Sequence, residues 1–515
     1  MDEKRQSGDR VIVIGAGIGG LCSAIALSAQ GFDVTVIERQ GDPGGKMRTV
    51  PADGLPVDSG PTVFTMKWVF DGLFDRAGLS FDTYVPLAQA EILARHGWRD
   101  GSALDLFADV DKTVAAVDAF AGAENADGYR RFARDSQQVF ETLKDSYIAA
   151  PRPSPVDLVR RIGLTNIADM WALKPFSSLW SALGGYFPDG RLQQLFGRYA
   201  TYCGSSPYQA PATLMLVAHV ERDGVWLVEG GMHALARALG EAARSLGAAF
   251  HYGDGVAQIE AGDAVTGVVL ASGERLDADA VVFNGDASAL ARMLPGTKGA
   301  PKPVPAAARS LSALTWSMRA KTGGFPLSRH TVFFSDDYRA EFDSIFRDRA
   351  VPKQPTVYIC AQDRDDAGTL SPEGDAGERL LCLINAPADG DTRRLTTSEI
   401  DTCFANTCET LDRCGLTLDP VSSTPTEPAD FEALFPGSGG ALYGRASHGW
   451  MASFQRQGSR TALRGLYLAG GSVHPGPGVP MAALSGRLAA ESLVADRASM
   501  PKSRPAGISG GISTG

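Results

Sequence analysis

Near the amino terminus the sequence runs Val11-Ile-Val-Ile14 and then Gly15-Ala16-Gly17-Ile18-Gly19-Gly20, the glycine spacing of a turn that a phosphate can approach. Each glycine has its own task. Gly15 permits the tight turn, Gly17 lets a pyrophosphate come close to the backbone, and Gly20 lets a helix pack on the preceding strand. The free N–H groups that open this helix face the phosphates. Glu38 follows 18 positions after Gly20, at the end of a second apolar run from Val34 to Ile37. A carboxylate there can accept both ribose hydroxyls and repel a 2′-phosphate. The chemistry expected is dinucleotide binding. A glycine-rich turn in an unrelated parallel sheet would leave Glu38 without a role.

Further glycine loops lie downstream: Gly44-Gly45-Lys46-Met47-Arg48-Thr49, Asp58-Ser59-Gly60-Pro61-Thr62, and Gly470-Gly471-Ser-Val-His474-Pro-Gly476-Pro-Gly478-Val479-Pro480. Three separated stretches supply the elements that must position these loops. The first is strand, turn, helix through Gln30, and strand Val34 to Ile37. The second opens with Gly224-Val-Trp226 and predicts a helix from His233 to Leu246, then strands at Val256 to Ile259, Val265 to Leu270 and Ala280 to Phe283. The third predicts a strand at Gly465 to Ala469 and a helix from about Met481 to Asp496, with Pro480 suited to its first turn. That helix offers a positive end to a negatively charged group above it. Two insertions, 68–222 and 299–456, remain for a second domain, the first of them expected to be largely helical.

Composition narrows the partners. The 515 residues hold 49 basic and 59 acidic side chains, a net charge of −10, which gives no electrostatic footprint for nucleic acid. Seven cysteines without a C-x-x-C pattern argue for reduced thiols in the cytoplasm, and the spacing of Cys403, Cys408 and Cys414 matches no zinc site. No metal is expected. The charged start, Met1 to Arg10, has no secretory h-region. The uncharged run from Tyr199 to Val220 contains Gly204, Pro207 and Pro211, which argue against a membrane span. The tail 499–515, rich in Ser and Gly, is expected to be disordered.

Taken with the G-G-K and D-S-G segments, the glycine turn resembles the two-dinucleotide-binding-domain flavoproteins, a superfamily that includes amine oxidases and carotenoid desaturases. The resemblance implies an α/β fold: a Rossmann-like FAD-binding domain made of 9–67, 223–298 and 457–498, with an inserted mixed α+β substrate domain made of 68–222 and 299–456. It implies FAD held by Gly15, Ala16, Gly17, Ile18, Gly19, Gly20, Glu38, Arg39, Gly45, Lys46, Gly60, Pro61, Thr62, Val256, Gly470, Gly471, Gly478, Val479, Pro480 and Met481. Lys46 stands where arginine is commoner, keeping the charge and losing the bidentate fork.

The sequence His474-Pro-Gly476-Pro-Gly478-Val-Pro480 after Tyr467-Leu-Ala469 resembles the C-terminal signature of the phytoene desaturase family. Gly470-Gly471 replaces the A-G-E of amine oxidases, which argues against amine oxidation. Gly224-Val-Trp-Leu-Val-Glu229-Gly-Gly and Gly60 to Phe74 look more like the 1-hydroxycarotenoid 3,4-desaturases. The implied reaction passes a hydride from an acyclic hydroxycarotenoid to FAD and introduces a 3,4 double bond, with oxygen or a quinone as electron acceptor. The implied location is peripheral, on the inner face of the membrane. A phytoene desaturase, a flavin amine oxidase and a prenyl-protein-binding protein of the GDP-dissociation-inhibitor type are the alternatives.

Such a reaction needs no nucleophile, and no catalytic side chain is assigned. His474 is expected to be a structural residue of the flavin loop. Resemblance also makes Arg198 to Pro211 a wall of the substrate channel, and gives Gly439 to Gly444 a family counterpart. The aromatic stretch from Met170 to Phe187 reads either as helix core or as a tunnel wall and membrane-facing patch.

Overall fold

Four consecutive β-branched residues, Val11 to Ile14, favour the pleat of a strand, and all four are buried because layers cover both faces. This strand, Arg10–Ile14, is the centre of a five-stranded parallel sheet in the computed structural model, which describes residues 9–163, 173–174, 176–296, 301–374 and 376–499. Across the sheet the order is Ala249–Tyr252, Asp33–Glu38, Arg10–Ile14, Ala280–Phe283 and Leu466–Leu468. The order reverses direction at the first strand, the topological switch point where α/β sheets bind ligands beyond their carboxyl ends. Helices Ile18–Ser28, Met232–Ser245 and Val479–Ser499 pack on one another over this sheet. Gly486 lets the first and last of them touch, since a Cβ there would lie 2.1 Å from Gly19 O.

A seven-stranded sheet forms the second layer system, in the order Leu416–Thr426, Ser312–Gly324, Glu378–Ala386, Val357–Ala361, His330–Phe333, Ile92–Gly97 and Ala103–Phe107. One face, with Leu314, Trp316, Met318, Ile359 and Phe333, packs on the helix Thr397–Arg413 through Leu411 and Phe404. By the alternation of side chains along strands, the other face carries Thr315, Ser317, Leu381, Leu383, Tyr358, Cys360 and His330. That face turns toward the first sheet's domain: Ser317 hydrogen-bonds Ser59, and Tyr358 hydrogen-bonds Thr62.

Among the described residues the first insertion is largely helical, as the sequence suggests, with helices that include Val110–Ala121 and Ala123–Leu143, and it adds strands to the second sheet. Ile92–Gly97 and Ala103–Phe107 pair as a hairpin and extend the seven-stranded sheet through a parallel pairing of Thr331 with Arg95. The helix Lys67–Arg76, at the start of this insertion, packs instead on the helices of the FAD-type domain. The strand Ala249–Tyr252 has no counterpart among the expected elements. Val256–Ala261, Val265–Leu270 and Arg275–Asp277 form a three-stranded antiparallel meander.

Arg198 to Val220 is broken into two 3₁₀ turns and a short helix, Leu216–Asp223. Among the described residues no helix is long and apolar enough to cross a membrane. Met170, Trp171, Ala172 and Pro175 of the aromatic stretch, the start Met1 to Gly8, and the tail from Met500 lie outside the described residues. In the rest of that stretch Leu179, Leu183, Tyr186 and Phe187 are core, while Phe176 is 79 % exposed. The remaining helix-core face stacks Phe187 on Phe196, with ring centroids 4.9 Å apart.

Candidate active site

Three glycine loops and one asparagine meet above the switch point. Gly15 has φ +95°, a conformation natural to glycine, and its N–H donates to Ile37 O at 2.8 Å. A Cβ on Gly20 would lie 2.1 Å from Gly15 O, so the helix Ile18–Ser28 can seat itself on the turn only with glycine there. Gly17 pairs with Gly44 in a parallel bridge, and Gly44 N donates to Ala16 O at 2.8 Å. A Cβ on Gly19 would lie 2.7 Å from Gly470 N. Asn284 sits among them, its Nδ2 donating to Gly15 O at 3.1 Å. The first-turn N–H groups of Ile18–Ser28 have no partner within the helix, and Gly17 supplies no side-chain cap.

This is a cradle that side chains would fill and that leaves backbone donors pointing outward, which fits a dinucleotide diphosphate. Glu38 ends its strand where expected, buried, and accepts from Ala16 N at 2.8 Å and Gln40 N at 2.9 Å. Its carboxylate oxygens retain lone pairs for ribose hydroxyls. Arg39 extends from the same strand end, its guanidinium donating to Ala433 O at 2.7 Å and to Leu434 O. Gly255, beside Val256, packs on Arg39, where a Cβ would approach Arg39 Cβ to 2.8 Å. Glu38, Arg39 and Val256 thus share one end of the cradle.

At its other end, Lys46 donates through Nζ to Leu442 O and lies 5.5 Å from the centre of the Phe435 ring. Burial lowers its pKa, against the opposing pull of the Asp286 charge. Gly60 packs so tightly that a Cβ would lie 1.8 Å from Lys46 O. Gly470, with φ +107°, donates to Ser485 Oγ at 2.7 Å, and Gly471 O accepts from Arg456 Nη1 at 3.3 Å. Gly478, Val479, Pro480 and Met481 open the helix Val479–Ser499, two residues earlier than the sequence suggested. Pro61 and Thr62 continue from Gly60 toward the seven-stranded sheet.

A cluster of polar side chains lies beside the face of the seven-stranded sheet that carries Tyr358. Arg198, Tyr202, Cys203, Tyr358 and Tyr443 are each half-buried. Tyr199 Oη donates to Glu221 Oε2 at 2.8 Å, and Tyr202 Oη donates to the other oxygen. Burial raises the Glu221 pKa, while the two tyrosines and Arg198 oppose it. Burial would lower the Arg198 pKa, but the neighbouring Tyr202, Glu221 and Tyr358 raise it overall. His330 is pushed down to about 3 by burial and by the Arg329 and Arg198 charges, so it is neutral at pH 7. His474 is pushed down to about 4, mainly by burial, with Nε2 2.8 Å from Ala150 O and its ring 4.8 Å from that of Tyr147.

Sequence reasoning did not single out Asn284, Glu221, His330 or Tyr358 as site residues. Asn284 was legible as the residue after the Ala280–Phe283 strand, in the position that must close on the glycine turn. His330 and Tyr358 come together only through the pairing of strands His330–Phe333 and Val357–Ala361, and Glu221, on the helix Leu216–Asp223, meets Tyr199 and Tyr202 only where the chain turns back; neither their types nor their spacing signals it.

The chain matches the model of the flavin-containing amine oxidoreductase family over residues 18–494. It is 53 % identical to a hydroxyneurosporene desaturase of Rubrivivax gelatinosus over 98 % of this chain and 97 % of the relative. With a hydroxyneurosporene desaturase of Cereibacter sphaeroides it shares 45 % identity over 96 % of this chain and 99 % of the relative. Among solved structures, a putrescine oxidase bound to putrescine aligns with TM-score 0.59 at 15 % identity, covering 95 % of this chain and 99 % of that one. At that identity the likeness concerns the fold alone, and the fold is the α/β flavin oxidase type that the glycine turn and the inserted sheet describe. The cofactor is FAD. The chain belongs to the flavin-containing amine oxidoreductase family, in the group of carotenoid desaturases.

Proposed function

We propose that this protein introduces the 3,4 double bond into 1-hydroxyneurosporene or a close acyclic relative, using FAD as the acceptor. The observation that carries the reading is similarity over nearly the whole chain to hydroxyneurosporene desaturases, at 53, 45 and 43 % identity. A 1-hydroxycarotenoid 3,4-desaturase of a Flavobacterium species, 30 % identical, supports the choice of bond. FAD bound in the cradle supplies a two-electron acceptor for hydride. One substrate carbon loses hydride with its electron pair, the neighbouring carbon loses a proton, and the new π bond forms between them. The electron pair then leaves to oxygen or a quinone, the two acceptor classes we propose.

The chain's own part is positional. Leu381, Leu383 and Val332 offer apolar surface to the polyene on the domain-facing side of the sheet. Glycine contacts between the loops 15–20, 44–45 and 470–471 keep the cofactor's diphosphate end fixed while the two domains close over the reacting carbons.

Association with the inner membrane face is part of the proposal, because the substrate dissolves in lipid. Phe176 and Trp450, 79 % and 51 % exposed, stack edge to face with centroids 6.0 Å apart, an apolar surface fitted to the headgroup boundary. Flotation with liposomes tests this, and Phe176→Ser with Trp450→Ser should reduce the bound fraction several-fold. Incubation of purified protein with 1-hydroxyneurosporene in liposomes, followed by chromatography, tests the reaction. A product with a red-shifted polyene spectrum is expected. Conversion of phytoene instead would move the protein to an earlier desaturation.

A further inference from the structure

One polar feature of the domain-facing sheet surface is incomplete. Tyr358 Oη lies 2.6 Å from Thr62 Oγ1 and 2.8 Å from His330 Nδ1. The Tyr358 and His330 rings stack at 6.2 Å with 13° between their planes, and the Arg198 guanidinium lies 5.2 Å from the centre of the Tyr358 ring. His330 is 3 % exposed, and its Nε2 has no hydrogen-bond partner among the described residues. The neighbours on this face include the apolar Val332, Leu381 and Leu383 and also Cys360, which lies opposite His330 in the strand pairing. Leaving a buried ring nitrogen unmet is costly, and an arriving hydroxyl can offset that cost.

The order of the string matters. Thr62 continues the Gly60-Pro61 segment that packs on Lys46, one of the residues expected to hold the cofactor, so the string runs from that loop to an unmet nitrogen. In the Nδ1–H tautomer, with Nδ1–H donating to Tyr358 Oη and Tyr358 donating to Thr62 Oγ1, the remaining atom, Nε2, is an acceptor. A partner for it in that tautomer is a donor.

We propose that Thr62, Tyr358 and His330 form the subsite for the tertiary hydroxyl of the substrate, whose O–H donates to His330 Nε2. This rests on the desaturase reading above. In a 1-hydroxycarotenoid the hydroxyl-bearing carbon is two bonds from C3, so whatever holds the hydroxyl must lie beside the C3–C4 bond and the flavin. The string occupies such a position. It also sets specificity: a polyene lacking the hydroxyl leaves Nε2 unmet, and a site built around a hydrogen bond rejects the analogue that cannot make it.

The test compares 1-hydroxyneurosporene with neurosporene, which lacks the hydroxyl, as ligands of FAD-loaded protein, following perturbation of the flavin absorption band. The unaltered protein should bind the hydroxylated polyene at least about 10-fold more tightly, about 1.4 kcal/mol. In His330→Phe and Tyr358→Phe the preference should fall to about 2-fold or less, and His330→Gln, which keeps an acceptor, should retain part of it. Flavin content per chain verifies folding, and if either ring variant loses its flavin, Thr62→Val carries the same expectation. Equal binding of both polyenes by the unaltered protein would overturn the proposal, as would variants that keep the full preference. Failure of the unaltered protein to oxidise either polyene, read in a turnover assay, would overturn the desaturase reading and this proposal with it.

Discussion

Asp58 and Gln362 exchange two hydrogen bonds across the domain boundary: Asp58 N donates to Gln362 Oε1 at 2.9 Å, and Gln362 Nε2 donates to Asp58 O at 2.8 Å. The Asp58 carboxylate meanwhile accepts from Met232 N at 2.7 Å and His233 N at 3.1 Å, capping the helix Met232–Ser245 that Gly231 leaves without a side-chain cap. One residue thus ties the loop 58–62, the helix Met232–Ser245 and the end of the strand Val357–Ala361 into a single buried joint.

Gln362→Leu should break that joint. Both partners are buried, so two backbone groups of Asp58 would lose their bonds without gaining water. We expect a loss of about 2 kcal/mol or more in denaturant unfolding, with weaker FAD retention. Asp58→Ala, which removes the cap and keeps the backbone exchange, should cost about 1–2 kcal/mol.

Gly20→Ala should abolish FAD binding. The added Cβ would meet Gly15 O at 2.1 Å, and that oxygen belongs to backbone that cannot yield without moving the phosphate turn. Gly190→Ala is the control: a Cβ there meets nothing within 4 Å, and stability should change by less than about 0.5 kcal/mol. The flavin absorption of purified protein measures both.

Arg456 is buried, and its guanidinium donates to the carbonyls of Tyr443 at 2.9 Å, Arg445 at 2.6 Å and Gly471 at 3.3 Å. It therefore pins the Gly439 to Gly444 loop to the flavin loop. Arg456→Lys should not restore what Arg456→Ala loses, because a point ammonium cannot span three carbonyls in fork geometry. Accelerated FAD release in both variants is the expected readout.

The acid limb of stability carries the signature of His330. Its folded pKa of about 3 lies below the ordinary histidine value of 6.5, so the unfolded chain binds the extra proton first as pH falls. Stability contributed by the neutral ring is complete above about pH 6.5 and is lost progressively toward pH 3, by up to about 1.4 kcal/mol per pH unit. His330→Phe removes that titration. The stability of the variant relative to the unaltered protein should therefore rise between pH 6 and pH 4 in urea unfolding, and a constant difference would contradict the assignment.

The glycine turn, Glu38 and the strands at Arg10–Ile14, Asp33–Glu38 and Ala280–Phe283 were legible because local chemistry specifies them: glycine where Cβ clashes, β-branched runs where two faces are buried. Ala249–Tyr252 was not, being four residues at a sheet edge with no buried face to impose a pattern. Nor was the strand Ile92–Gly97, where Arg95 and His96 interrupt the apolar alternation, and its pairing with Thr331 joins residues far apart in sequence. The Thr62–Tyr358–His330 string fell out of reach for the same reason. Lys46 was legible as the cation of the Gly44-Gly45 loop, but not its bond to Leu442 O, which depends on how the Gly439 to Gly444 loop folds back.

The most direct test of the central claim is anaerobic mixing of FAD-loaded protein with 1-hydroxyneurosporene in liposomes, following flavin and polyene absorption together. Bleaching of the flavin band in step with a red shift of the polyene, one equivalent of each, is the result expected from hydride transfer to FAD. A flavin band that stays oxidised while the substrate remains unchanged would contradict it.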